Sequence, residues 1–238
     1  MLLRYAGFFK VNPFPEGFQT SDFDLKSVKQ GDKDLSFTFE GKDQTLLKVD
    51  LPQSLSPGES VEIVLDYSLT VPHSFGRFGW HKNIMALSRW YPMLSVYDEN
   101  GWHKYSFYPF HRPFYSEASQ YSVKLTVPTR QTVIHSGDEL EVKESAGGKK
   151  EIVIESQKPI REFSLSLSSD YKVVEEDWGN THIKSYYLPG HEEKARLALK
   201  DARGMMEYYS KHFGAYPYAT FSLAPVYLGY GGEQMSNM

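Results

Sequence analysis

The strongest constraint on this chain is a change in the period of its hydrophobic pattern. From Leu35 to about Leu188 the pattern is dominated by alternation of apolar and polar residues. Val61, Ile63, Leu65, Tyr67 and Leu69 oppose Glu62, Asp66 and Ser68. Val123, Leu125 and Val127 oppose Ser122, Lys124 and Thr126, and Phe163, Leu165 and Leu167 oppose Ser164, Ser166 and Ser168. Successive side chains of an extended strand point to opposite faces, so this period of two predicts half-buried antiparallel strands with solvated serine hydroxyls. Pro52, Pro57-Gly58, Asn100-Gly101 and Gly147-Gly148 supply turn chemistry at intervals suited to a sandwich.

After Tyr187 the period changes. Pro189-Gly190 breaks the last strand, and Ala195, Leu199, Ala202, Met206, Tyr209 and Phe213 then recur at spacings of four and three, the apolar stripe of one amphipathic helix. Glu192 and Glu193 in its first turn and Lys211 and His212 in its last complement the helix dipole, and Gly214 suits a C-terminal cap. One more apolar stretch, Phe221 to Tyr227, precedes Gly229-Tyr230-Gly231-Gly232. A helix and one strand cannot enclose a core of their own. The expected organisation is therefore a β-rich domain over residues 1–189 and the beginning of a second domain over 190–238.

Composition narrows the function classes. With 26 Lys+Arg against 30 Asp+Glu the net charge is −4, and the basic residues are scattered, so nucleic acid is not an expected partner. The absence of Cys removes thiol catalysis, disulfides and Cys-type zinc sites, and leaves the compartment open between cytoplasm and an extracellular or membrane-anchored parent. No stretch has the eighteen or so apolar residues of a membrane span.

Motifs for chemistry are sparse. A helical zinc site of the His-Glu-x-x-His kind needs two His four residues apart, and none of the eight His has a partner at that spacing; His191-Glu192-Glu193 fails at Ala195. There is no Gly-x-Ser-x-Gly elbow, and the glycine-rich run lacks the Gly-Lys-Ser/Thr ending of a phosphate loop. Two aromatic stretches remain. Phe75, Phe78, Trp80, Trp90 and Tyr91 form one; Trp102, Tyr105, Phe107, Tyr108, Phe110, Phe114 and Tyr115 form the other. Such density suits either docking onto a neighbouring domain or stacking against sugars or peptides.

Taken in order, four segments resemble the aminopeptidase N-like zinc metallopeptidases of the gluzincin group. Leu87-Ser88-Arg89-Trp90-Tyr91-Pro92, with Val96-Tyr97-Asp98 and Gly101-Trp102, is similar to a hairpin region of that family's N-terminal β domain. Pro159-Ile160-Arg161-Glu162-Phe163-Ser164 resembles one of its strands, and Ile183 to Pro189 its exit strand. Tyr208-Tyr209-Ser210, Phe213 to Tyr218 and Gly231-Gly232 resemble the opening of its catalytic domain.

The resemblance implies an antiparallel, saddle-like β-sandwich followed by the first helix and strand of a thermolysin-like α/β domain. It also implies a parent enzyme that uses zinc and a peptide substrate, whereas no metal ligand is expected in this chain itself. In the family a Glu of the glycine-rich loop binds the free α-amine of the peptide. Here Gly231-Gly232-Glu233-Gln234 puts Gln234 at that position and displaces the carboxylate to Glu233. These four residues are the expected substrate contacts, none of them catalytic, with the glycines offering an extended edge for an added strand.

The family has further strands before the one resembled by Gly7 to Val11, and its zinc motif lies downstream of the loop. The resemblance thus implies a non-catalytic portion of a longer peptidase that caps the active-site cleft and docks on the missing catalytic domain. A stand-alone glycan- or peptide-binding module and a catalytically dead peptidase-derived scaffold are the alternatives.

Overall fold

The computed structural model describes residues 12, 14, 16–105, 115–228, 231–232 and 234–238. The Gly7 to Val11 strand and Phe107, Tyr108, Phe110 and Phe114 of the second aromatic stretch lie outside them.

Among the described residues the chain is mainly β, with several antiparallel sheets and one long helix. The first sheet pairs β1 (Phe23–Gln30) with β2 (Lys33–Asp34) and β5 (Val64–Leu69), beside a hairpin of β3 (Phe37–Glu40) and β4 (Leu46–Val49). As the alternation predicts, Leu65, Tyr67 and Leu69 share the better buried face of β5, whereas Val61 and Ile63 precede the strand.

A four-stranded sheet lies at the centre, in the order β11 (Thr132–His135), β14 (Ser164–Ser168), β7 (Ile84–Ser88) and β6 (Phe78–His81). The sheet of β10 (Ser122–Pro128), β13 (Lys149–Glu155) and β12 (Asp138–Ser145) packs on one side of it. Val127, Val133, Ile152, Ile154, Ile160, Phe163 and Leu165 fill the space between the two sheets. Most are β-branched or aromatic, the residues that fit a pleated, half-buried surface. Between β12 and β13, Gly147 and Gly148 both adopt positive φ (74° and 68°), which only glycine does freely. A short hairpin of β8 (Tyr97–Asp98) and β9 (Gly101–Trp102) stands apart.

The opposite face of the central sheet departs from expectation. Ser164, Ser166 and Ser168 are not solvated; they are 2%, 1% and 0% exposed. This face carries a second layer, in which Ile84 and Ile134 pack with Tyr171, Tyr186, Leu188, Ala224, Val226, Tyr227 and Met238. Tyr171 Oη donates to the Pro225 carbonyl (2.7 Å), so Ser166 Oγ, 2.8 Å away, donates to Tyr171 Oη. Burial pushes the Tyr171 phenol above its ordinary pKa, which keeps that donor protonated. Serine is polar enough to read as an outer face and small enough for a second layer to approach.

That layer is a sheet of β15 (Lys172–Trp178), β16 (Thr181–Tyr187) and β17 (Thr220–Leu223), with β16 and β17 parallel in the register His182↔Thr220. The helix α1 (Glu192–Phe213) makes the crossover that parallel strands require. It buries Ala195, Leu199, Ala202 and Met206 against Val174 and Ile183. Tyr209 and Phe213, expected in the same stripe, are 55% and 81% exposed, because the three-stranded sheet does not extend under the last turns. Helix ends agree with the sequence: the acidic and basic turns fall as expected, and Gly214 follows Phe213 with φ 99°. The final strand is shorter than predicted and stops at Leu223, after which the chain leaves the sheet to pack on the serine face. Strands on both sides of Pro189-Gly190 thus belong to one sheet.

A histidine pair fastens the edge of this assembly. His73, 4% exposed, has Nδ1 2.9 Å from the Glu16 carboxylate and Nε2 3.3 Å from His81 Nδ1, and the His81 ring meets Phe75 and Tyr227 edge-on. Burial first, then the proximity of His73 and Lys82, holds the His81 pKa below its ordinary range. The unfolded chain therefore takes up this proton more readily than the folded one. Stability from His81 is fully present above about pH 6.5, the unfolded value, and is lost as pH falls toward the folded value. Urea midpoints measured at pH 7.5 and 5.5 should fall less for His81→Phe than for the parent chain; equal falls would contradict the assignment.

Candidate functional site

Of the four expected substrate contacts, Gly231, Gly232 and Gln234 are exposed, and Glu233 lies outside the described residues. A Cβ added at Gly231 would meet nothing within 4 Å, and one at Gly232 only Gln234 Nε2 at 3.9 Å. Neither glycine is forced by a positive φ; the backbone is uncovered on the side where a side chain would stand. Gln234 lines a cavity of about 310 Å³ with Arg89, Ser116, Arg161, Glu162, Met235 and Ser236.

The walls of that cavity come from elements far apart in sequence. The antiparallel register Ser88↔Ser164 ends β7 and β14 side by side, so Arg89, just past one strand, meets Glu162, just before the other. Arg89 Nη2 donates to Glu162 Oε2 at 3.0 Å, with the two side chains 12% and 8% exposed. Glu162 Oε1 accepts from the Ser236 backbone N–H at 3.2 Å, with Ser236 Oγ at 3.5 Å. Arg161, exposed, donates from Nη1 to the Ser116 carbonyl at 3.0 Å. Tyr91 Oη accepts the Phe163 N–H at 2.8 Å, and burial pushes its phenol well above the ordinary range.

The far end of the segment is fastened by Asn237, which is 5% exposed and has φ 49°. Asparagine tolerates this left-handed conformation better than most residues. Its Oδ1 accepts the Gly137 N–H (3.1 Å), its Nδ2 donates to Thr220 Oγ1 (3.2 Å), and its carbonyl accepts the Ser222 N–H (3.2 Å). Gly137 has φ 84°, and a Cβ there would stand 2.9 Å from the Glu155 carbonyl oxygen. Gly137→Ala is expected to cost about 1–3 kcal/mol, from the strained φ together with the backbone contact. Thermal unfolding should show the loss, and an unchanged melting temperature would contradict it.

Nothing in the sequence singled out Arg89, Glu162, Ser236 or Asn237 as partners. Glu162 and Arg89 stood in two of the family-like segments without an assigned role; only the β7–β14 register joins them. His191 sits at the start of α1 rather than on a helical face with a second His. Among the described residues no group of three or more His, Asp or Glu side chains is arranged to hold a metal ion. Among them too, no helix is long and apolar enough to cross a membrane.

No protein-family model and no curated protein matches the sequence. Solved structures do match. A mutant of a two-domain M1 zinc metallopeptidase bound to L-arginine superposes with a TM-score of 0.55 at 17% identity, over 84% of this chain and 46% of that one. Over that span this chain has the fold of part of an M1 zinc metallopeptidase. The M1 zinc metallopeptidase from Deinococcus radiodurans gives 0.55 at 18% identity, over 84% and 45%. A mutant of the M1 zinc metallopeptidase from Deinococcus radiodurans bound to a Tyr-Ser-Ala substrate gives 0.53 at 18%, over 84% and 46%. This chain therefore spans less than half the length of the M1 structures it matches.

Proposed function

We propose that this chain is the β-rich, non-catalytic portion of a zinc-dependent aminopeptidase, capping the active-site cleft and contributing to recognition of the peptide N-terminus. The observation that carries the reading is the superposition of 84% of the chain on M1 zinc metallopeptidases about twice as long. The division into residues 1–189 and a catalytic-domain beginning over 190–238 belongs to the same proposal. In it, the sheet shared across Pro189-Gly190 is the seam between the two.

Exposed apolar surface supports a docking role. Leu197, Met205, Tyr208, Tyr209 and Phe213 line the outside of α1, and Leu94, Tyr97, Trp102, Tyr105 and Tyr115 stand on and around the β8–β9 hairpin. In the proposal a catalytic domain covers these residues. Gly231, Gly232, Glu233 and Gln234 then face the peptide, with a neutral amide at Gln234 in place of a carboxylate. A charge-assisted bond is about twice as strong as a neutral one, so Gln234 anchors an ammonium less firmly than Glu would.

The test is hydrolysis of aminoacyl amides by the complete gene product, run beside the same amides with acetylated N-termini. Cleavage confined to the free-amine set is the expected result. Cleavage of neither set, or of both equally, overturns the reading.

A further inference from the structure

We propose that the Arg89–Glu162 ion pair is a positioning device that fixes the Gln234–Asn237 segment beside the cavity, and thereby sets how tightly that edge holds a peptide. The proposal rests on the peptidase reading for its substrate, but its structural half stands alone.

Burial of both charges is a poor way to add stability. Removing two ions from water is costly, and apolar side chains of similar volume commonly serve the fold as well or better. What the ion pair has and an apolar pair lacks is a leftover acceptor. Glu162 divides its carboxylate, giving Oε2 to Arg89 and Oε1 to the Ser236 backbone N–H. The guanidinium thus aims a carboxylate at the terminal segment.

Both partners are held against drift. Glu162 precedes Phe163, whose ring is fully buried and whose N–H is tied to Tyr91 Oη. Arg89 has φ 53°, a left-handed conformation that a non-glycine side chain keeps only where its surroundings over-determine it. The segment itself is stapled at Asn237 to Gly137, Thr220 and Ser222. Gln234 lies two residues from Ser236 and lines the same cavity, so a shift at Ser236 moves a residue expected to meet substrate. Ser88 Oγ, 3.7 Å from Met235 Sδ, adds a weak contact beside it.

The decisive variant replaces both ions with apolar side chains, Arg89→Met with Glu162→Leu, in the complete polypeptide. Three quantities are read: melting temperature, hydrogen exchange of the Ser236 amide, and KM against kcat for aminoacyl amides. The expected result is a melting temperature equal to or above that of the parent. Exchange at Ser236 should be faster by about tenfold or more, as loss of a bond to a charged acceptor gives, and KM should rise about tenfold with kcat changed less. A purely structural pair predicts no change in exchange or KM once stability is retained, and that outcome overturns the proposal. Faster exchange with unchanged KM also overturns it, since the clamp would then not reach the substrate edge.

Should the double variant fail to fold, Glu162→Gln is read for Ser236 exchange and KM alone, because it keeps the shape, weakens the acceptor to a neutral amide oxygen and lowers stability by leaving the guanidinium without that charge. If the parent protein hydrolyses no aminoacyl amide, the peptidase reading fails, and Ser236 exchange alone decides whether the clamp exists.

Discussion

Replacing Phe163 by alanine is expected to lower stability by about 3–5 kcal/mol, the largest single loss from the apolar core. Phe163 is 0% exposed and lies in the cluster that joins the central sheet to β10, β13 and β12. Its ring approaches Tyr121 at 6.0 Å between centroids. Truncation removes the transfer free energy of the ring and leaves a cavity that two hydrogen-bonded sheets cannot collapse to fill. For a chain of this size the loss corresponds to roughly 2–4 °C of melting temperature per kcal/mol. Leu140, 51% exposed on the edge strand β12, is the comparison. Leu140→Ala should stay within about 0.5 kcal/mol. Urea unfolding of both variants checks the pair, and a Phe163→Ala loss below about 1 kcal/mol would mean that the sheets do not share this core.

The second large effect is expected at Glu162. Glu162→Ala removes one buried carboxylate partner of Arg89, whose side chain is 12% exposed, and leaves the Ser236 N–H without its acceptor. Breaking a buried pair by removing one partner costs about 3–5 kcal/mol, more than the pair adds over an apolar substitute. The signature is non-additivity. Arg89→Ala with Glu162→Ala should cost less than the sum of the single variants, with a coupling of about 0.5–3 kcal/mol in a double-mutant cycle. Strict additivity would show that the two charges do not depend on each other.

Much of the fold is legible in the sequence because both kinds of element are half buried. Val123, Leu125 and Val127 announce a strand by facing one way, and Ala195, Leu199, Ala202 and Met206 announce a helix by recurring every third or fourth residue. The same patterns mislead where a second layer is involved. Ser164, Ser166 and Ser168 read as a wet face, since alternation reports polarity and not what lies opposite; the nearest hint was the smallness of the side chains. Tyr209 and Phe213 continue the helical stripe beyond the sheet that covers its first part. The site is less legible than the fold. Gly231 to Gln234 could be picked out through a family resemblance, but Glu162 and Arg89 are 73 residues apart. Only the Ser88↔Ser164 register makes them neighbours, and register between distant strands is not written in either strand alone.

The central claim, that this fold belongs to the front of a zinc-dependent aminopeptidase, meets its most direct test in the metal content of the complete gene product. Purified protein should carry zinc in stoichiometric amount, and chelation should remove both the metal and the hydrolysis of free-amine aminoacyl amides, with zinc restoring both. A complete polypeptide that holds no zinc, or that keeps its full activity after the metal is stripped, would contradict it.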